Sequence, residues 1–151
     1  MQLHPDFRDF LEALAREGVE YLVVGGYAVG FHARPRYTKD IDIFVAATPE
    51  NRARLVAALT AFGAPSEVVQ GAQQQTATDV LWMGQPPNRI DILASIEAVD
   101  FAPAYARRVE ADWAGVPVHV ICIDDLATNK RTVGRDQDRL DVAALEKARA
   151  R

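Results

Sequence analysis

One cysteine in 151 residues removes whole classes of chemistry before any motif is considered. With Cys122 alone, the chain has no intrachain disulfide and lacks the thiolates of a zinc ribbon or an iron–sulfur cluster. Histidine is nearly as scarce, and His4, His32 and His119 have no transition-metal spacing with each other or with Cys122. No apolar run approaches the roughly 20 residues that a bilayer span needs. The start, Met1-Gln2-Leu3-His4-Pro5-Asp6, has no basic segment leading into an apolar one. No secretory signal is predicted, and the cytoplasm is the expected compartment. An excess of positive charge is also missing: 17 basic against 21 acidic residues give a net charge of −4. That balance excludes the broad basic surface of a protein that grips duplex DNA, but not a small local anion site. Aromatic residues are 8% of the chain, and Trp82 and Trp113 lack the spacing of a base-stacking module, so both read as packing residues.

What the chain does have is ordinary globular composition, 49% apolar and 25% charged residues. The length suits a single domain, 1–151, with a pair of helices at about 124–150. Phe7, Phe10, Leu11 and Leu14 recur at helical spacing after Pro5-Asp6, and Gly18 is placed to end that helix. Tyr21-Leu22-Val23-Val24 reads as a buried strand running into Gly25-Gly26, with a helix from Tyr27 to about His32. Ile41, Ile43 and Val45 alternate with Asp40, Asp42 and Phe44 as a second strand. Thr48-Pro49-Glu50 opens a helix that Gly63 closes. The polar stretch 66–75 reads as a loop with a short edge strand at Val68-Val69. Two strands follow at 79–83 and 89–93, then a short helix near Phe101 and an extended segment from Val116. In the final helical pair, Asp124 is the expected cap of the first helix, and Leu140, Ala144 and Leu145 are expected to point inward. The order predicts an α/β (α+β) fold, a mixed β-sheet flanked by helices.

Chemistry concentrates between Gly25 and Ile43. On a strand the side-chain period is two, so Asp40 and Asp42 share one face while Ile41 and Ile43 take the other. Like charges held this close need a shared proton or a cation. Carboxylate oxygens suit Mg²⁺, although residue type alone does not name the metal. Gly25-Gly26 sits between a strand and a helix start, where close backbone approach and unpaired N–H groups can receive an anion. Asp91 lies in a third apolar strand between Ile90 and Ile92. If that strand neighbours the one carrying Asp40 and Asp42, three carboxylates converge and can hold two ions about 3.5–4 Å apart. The competing reading pairs Asp91 with Arg89 or another arginine. Arg34, Arg36 and Lys39 precede Asp40 as candidate triphosphate or acceptor contacts. Lys130 is the more distant candidate, with Arg131 and Arg135 as alternatives for the residue that faces the cleft.

Gly25-Gly26, Asp40-Ile41-Asp42 and the later Asp91 resemble, in that order, the signature of the DNA polymerase beta-like nucleotidyltransferase superfamily. The run Arg36-Tyr37-Thr38-Lys39-Asp40-Ile41-Asp42 looks like the approach to the strand in small members related to the AbiEii/MenA toxins. The segment carrying Lys130 and Arg135-Asp136-Gln137-Asp138-Arg139-Leu140-Asp141 looks like the same group. The resemblance implies that Asp40, Asp42 and Asp91 hold two Mg²⁺ ions, with Mn²⁺ as a substitute, and that Gly25-Gly26 cradle the phosphates of an NTP. It implies transfer of NMP to a hydroxyl with release of pyrophosphate. The acceptor would be a protein side chain, an RNA 3′ end or a small molecule, and a cognate toxin–antitoxin partner is implied too. Where many members have serine after the first glycine this chain has Gly26, so only N–H donors remain at that position.

Two other readings stand beside this one. A non-catalytic antitoxin-like or regulatory protein could keep the fold and bind a partner, and a two-metal phosphohydrolase could use the same carboxylates.

Overall fold

The computed structural model describes residues 3–35, 38, 40–85 and 88–151. Arg36 and Lys39, two of the candidate phosphate contacts, lie outside the described residues. In chain order the elements are α1 (Pro5–Arg16), β1 (Tyr21–Val24), α2 (Gly25–His32), β2 (Ile41–Val45), α3 (Pro49–Phe62), α4 (Ser66–Gln74), β3 (Val80–Met83), β4 (Ile90–Leu93), α5 (Phe101–Ala106), β5 (Val109–Trp113), β6 (Val116–Val120), α6 (Ile123–Val133) and α7 (Asp136–Arg149). Among the described residues the strands form one mixed sheet in the order β3-β4-β2-β1-β6-β5. The α/β class and the helix-flanked mixed sheet are as expected.

Local sequence accounts for most of these elements. Phe7, Phe10, Leu11 and Leu14 form the buried stripe of α1, each contributing roughly 1.5–3 kcal/mol on burial. Phe10 meets Phe62 of α3 edge to face at 5.3 Å, which fixes α1 against α3. Thr48 caps α3 by accepting from the Asn51 backbone N–H, and Gly63 ends it at φ +88°. At the centre of the sheet β1 runs antiparallel to β2, and β2 runs parallel to β4.

A buried side chain anchors that centre. Asn51 accepts from the Glu20 N–H at 2.7 Å and donates to the Glu20 and Ala46 carbonyls at 3.0 and 2.9 Å. One amide therefore ties the residue before β1 to the residue after β2, holding the register that sets Val24 opposite Asp42.

Several local expectations are corrected. Residues 66–74 form α4 rather than a loop with an edge strand at Val68-Val69. Helical spacing carries Val68 and Ala72 inward together, and Gly71 leaves room for Leu81, which a Cβ there would meet at 2.8 Å. Leu140 is 65% exposed, so α7 turns it outward and buries Leu145 along with Asp138 and Asp141. Asp124 lies inside α6, and Cys122 is the cap residue, without a side-chain capping bond. Trp82 is 60% exposed rather than packed, whereas Trp113 is buried among Tyr27 and Phe31. Strand β5 was not anticipated, although Val109-Glu110-Ala111-Asp112-Trp113 alternates in burial and the Ala114-Gly115 turn, both at positive φ, returns it to β6.

Asn51→Ala takes their partner from the Glu20 N–H and the Ala46 carbonyl, leaves the Glu20 carbonyl only the Ala46 N–H, and should lower unfolding stability by about 2–4 kcal/mol in urea titration. A loss below about 1 kcal/mol would mean that the β1–β2 register does not depend on it.

Candidate active site

Three strands and one turn deliver the candidate residues to the same end of the sheet. Strand β1 ends at Val24, and Gly25, at φ +67°, swings the chain into α2. Because Val24 opposes Asp42, the turn lies beside that carboxylate. A Cβ on Gly25 would stand 2.1 Å from Asp42 Oδ2, so the close approach admits glycine only. The N-terminus of α2 has no side-chain cap and no acidic residue in its first turn. Its unpaired N–H groups are thus free to meet an anion.

On the other side of Asp42, register places Asp91 of β4 directly alongside on the parallel strand. Burial, reinforced by the charge of Asp91 and a hydrogen bond with it, pushes the Asp42 carboxyl up to about 7; Asp40 adds to the rise and Lys130 opposes it. Asp91 receives a two-pronged contact from Arg89, Nε to Oδ1 at 2.8 Å and Nη2 to Oδ2 at 3.1 Å. The same guanidinium lies 3.3 Å from Asp40 Oδ2. Among the described residues, Asp40 Oδ1 is buried without a hydrogen-bond partner. The sequence reading had set convergence of the three carboxylates against pairing of Asp91 with Arg89. Arg89 pairs with Asp91 and also bridges to Asp40, while Asp42 stands beside Asp91 on the parallel strand.

These residues open into a cleft of about 620 Å³ whose far wall comes from α6 and α7. Lys130 and Arg135 reach that wall, whereas Arg131 pairs with Glu146. Lys130 is engaged already: its Nζ lies 3.0 Å from Asp138 and 3.2 Å from Asp141, and the side chain is 7% exposed. Burial alone would raise the Asp138 carboxyl, but hydrogen bonds from Arg135 and Lys130 outweigh it and bring it down to about 2. Arg135 donates to Asp138 from a largely exposed position, which makes it the more accessible cation on this wall. Asp138 and Asp141 escaped the sequence reading as holders of Lys130. Their signal was present, since a spacing of three on a helix places both carboxylates on one face.

The two histidines near these elements have other duties. His32 Nε2 lies 2.6 Å from the Ile121 carbonyl, and burial lowers its pKa. His119 Nδ1 contacts Glu110 at 2.7 Å.

The donor set fits a hard divalent cation. All the candidate ligands are carboxylate oxygens, one of them is buried and orphaned, and Asp42 and Asp91 are held together despite like charge. Among the described residues no three acidic, histidine or cysteine side chains already form a ready cage. Arg89 bridges two of the three carboxylates, so a cation would take its place.

Two outcomes follow from this geometry. Gly25→Ala should destabilise the protein by about 2–3 kcal/mol, because it combines positive φ with a collision against Asp42; an unchanged thermal midpoint would remove the close approach. For Asp42 itself, the unfolded chain releases the proton near the ordinary value of 3.8, while the folded protein keeps it up to about 7. Stability therefore falls as pH rises across that window. Without divalent cations, Asp42→Asn should flatten this slope and melt about a few degrees above the parent at pH 8. Parallel melting curves of the two proteins from pH 4 to 8 would contradict the buried proton.

Known proteins share the fold that carries these residues. Among curated proteins none matches the chain. A crystal structure of ANT(2")-Ia in complex with adenylyl-2"-tobramycin is similar with a TM-score of 0.51 and 16% identity, over 93% of this chain and 95% of that one. The lincomycin-bound crystal structure of the lincosamide antibiotic adenylyltransferase LnuA is similar with a TM-score of 0.55 and 14% identity, over 97% and 98%. At such identities the likeness is one of fold alone. Residues 2–147 match the family described as "Nucleotidyltransferase of unknown function (DUF6036)", and the chain belongs to that family.

Proposed function

We propose that this chain is a minimal, metal-dependent nucleotidyltransferase, one domain over 1–151, that moves NMP from an NTP to a hydroxyl acceptor and releases pyrophosphate. The observation that carries the reading is the Asp42–Asp91 pair on adjacent parallel strands, set against the Gly25 turn at the foot of an uncapped helix. Asp40, Asp42 and Asp91 would hold Mg²⁺, or Mn²⁺ in its stead. Bound there, the divalent ions supply charge neutralisation of the triphosphate and activation of the attacking hydroxyl. The N–H groups at Gly25-Gly26 bind the β- and γ-phosphates. Arg135 offers a cation from the opposite wall, and Lys130 braces that wall through Asp138 and Asp141. Arg36 and Lys39 belong to the proposal as further triphosphate contacts. Arg89 releases Asp40 and Asp91 when the site fills; its side chain is 37% exposed and has solvent to move into.

The finer placement nearer to the AbiEii/MenA toxin group rests on the run Arg36 to Asp42 and on the segment from Lys130 to Asp141. A cognate antitoxin-type partner belongs to that placement. The acceptor is a protein side chain, an RNA 3′ end or a small molecule; a small molecule is what each of the two similar structures holds. Among the described residues no helix is long and apolar enough to cross a membrane.

A second reading, a non-catalytic antitoxin-like protein of the same fold, draws on the Arg89 bridge, which lets the chain balance two of its own carboxylates. One experiment separates the two. Purified protein is incubated with each α-³²P NTP and Mg²⁺ or Mn²⁺, offered protein, RNA and small-molecule fractions of a cell extract. Label on one fraction is expected, and Asp42→Asn should lower it by several orders of magnitude while the fold is kept. Absence of label on every fraction, or an Asp42→Asn variant as active as the parent, would favour the non-catalytic protein.

A further inference from the structure

Strand β3 is an edge strand, and its two faces differ sharply. Met83 is buried and Leu81 packs against Gly71 of α4, while Val80 and Trp82, on the opposite face, stand 46% and 60% exposed. Register fixes where that exposed face looks. Trp82 opposes Asp91 and Val80 opposes Leu93, and both Asp91 and Leu93 line the cleft. Paired residues point to the same side of a sheet. One row therefore crosses four strands on the cleft face: Val24 at the glycine turn, Asp42, Asp91 and Trp82. With strands about 4.8 Å apart, the Trp82 backbone is one strand from Asp91 and three from the glycine turn. An indole left open at the end of a row of carboxylates loses the stabilisation that burial gives Trp113.

The order along that row assigns a direction to the reaction. In an in-line displacement the attacking hydroxyl enters opposite the departing pyrophosphate. Phosphates held at Gly25-Gly26 put the leaving group at the β1 end, so the hydroxyl approaches from the β4–β3 end, past Asp91. We propose, resting on the nucleotidyl-transfer reading above, that Trp82 is the acceptor platform: its indole face stacks on a ring of the acceptor beside the hydroxyl that attacks. The acceptor class follows from the surroundings. Among the described residues five carboxylates, Asp40, Asp42, Asp91, Glu97 and Asp138, line the cleft against three cations, Arg89, Lys130 and Arg135. In a chain of net charge −4 that balance disfavours a second polyanion beside a metal-bound triphosphate. A cleft of about 620 Å³ suits a compact ligand. The acceptor is accordingly an uncharged or cationic small molecule with an apolar ring face, a glycoside or a nucleoside.

The test uses the whole chain with Trp82→Ala and Trp82→Phe, and buried Trp113 serves as an internal control of folding. Methyl glucopyranoside, an aminated pyranoside, adenosine and polyuridylate are titrated while tryptophan emission is followed. A ring compound should quench the parent and Asp42→Asn alike but not Trp82→Ala, and polyuridylate should not quench at all. In transfer assays Trp82→Ala should raise the acceptor KM about 10-fold and leave the NTP KM unchanged, with Trp82→Phe recovering most of the loss. A protein that transfers NMP with the same acceptor KM in Trp82→Ala overturns the platform. So does quenching by polyuridylate alone, or a dimer that Trp82→Ala dissolves, which would mean that a second copy covers the strand. A protein that binds ring compounds at Trp82 yet labels no acceptor sinks the nucleotidyl-transfer reading alone.

Discussion

The repulsion between Asp42 and Asp91 is the constraint around which this end of the molecule is arranged. Two carboxylates on neighbouring strands, largely withdrawn from water, would separate if the backbone allowed it. The backbone does not allow it, because β2 is held between β1 and β4 and its register with β1 is fixed by the buried Asn51 amide. A proton on Asp42 and the Arg89 guanidinium relieve the charge instead. Backbone strain is present at the same place: Ala98, which lines the cleft, has φ +64°. Strain and uncompensated charge persist together only where the surrounding structure over-determines them.

The α6–α7 wall is built on the opposite principle. Lys130 meets Asp138 and Asp141, and Arg135 completes the set, so its charges are matched before any ligand arrives. Breaking such a buried network is costly, since each member would be left unpaired. The wall is therefore a braced frame, and the groups free to respond to an anion are the uncapped start of α2 and the exposed Arg135 guanidinium. The cleft thus has one side that needs charge and one side that is already satisfied.

How much of this was legible in the sequence depends on whether the signal was local. The glycine turn, the two-residue period of Asp40 and Asp42 and the helix ends at Thr48 and Gly63 are local, and each reads directly. That Asp91 lands beside Asp42 required only that β4 neighbour β2, which the lone charge in an apolar strand already suggested. What escaped depended on tertiary position. Val68-Val69 has strand composition, but helical spacing to Ala72 and contact with the core decide for a helix. Leu140 has the periodicity of a buried residue, yet Asp138 and Asp141 take the inner face because Lys130 needs them. Trp82 reads as packing because composition does not say that its strand is an edge. Its exposure follows from the strand's place at the edge together with the face it takes, opposite the one that packs against α4.

Arg89 sits where the charge of the site is concentrated. Its partners are two of the three carboxylates that a divalent ion would bridge, so the guanidinium marks the place where a cation is most strongly favoured. Solvent screens a pair that reaches a partly exposed guanidinium. A doubly charged ion with oxygen ligands in the same field gains far more, provided the NTP brings further phosphate oxygens to complete its coordination. The contact that seems to lock the site is therefore a weak one set over a strong demand. The orphaned oxygen of Asp40 points the same way, because Arg89 satisfies one side of that carboxylate and leaves the other buried and unpaired. A site whose purpose was the arginine pair would have satisfied both.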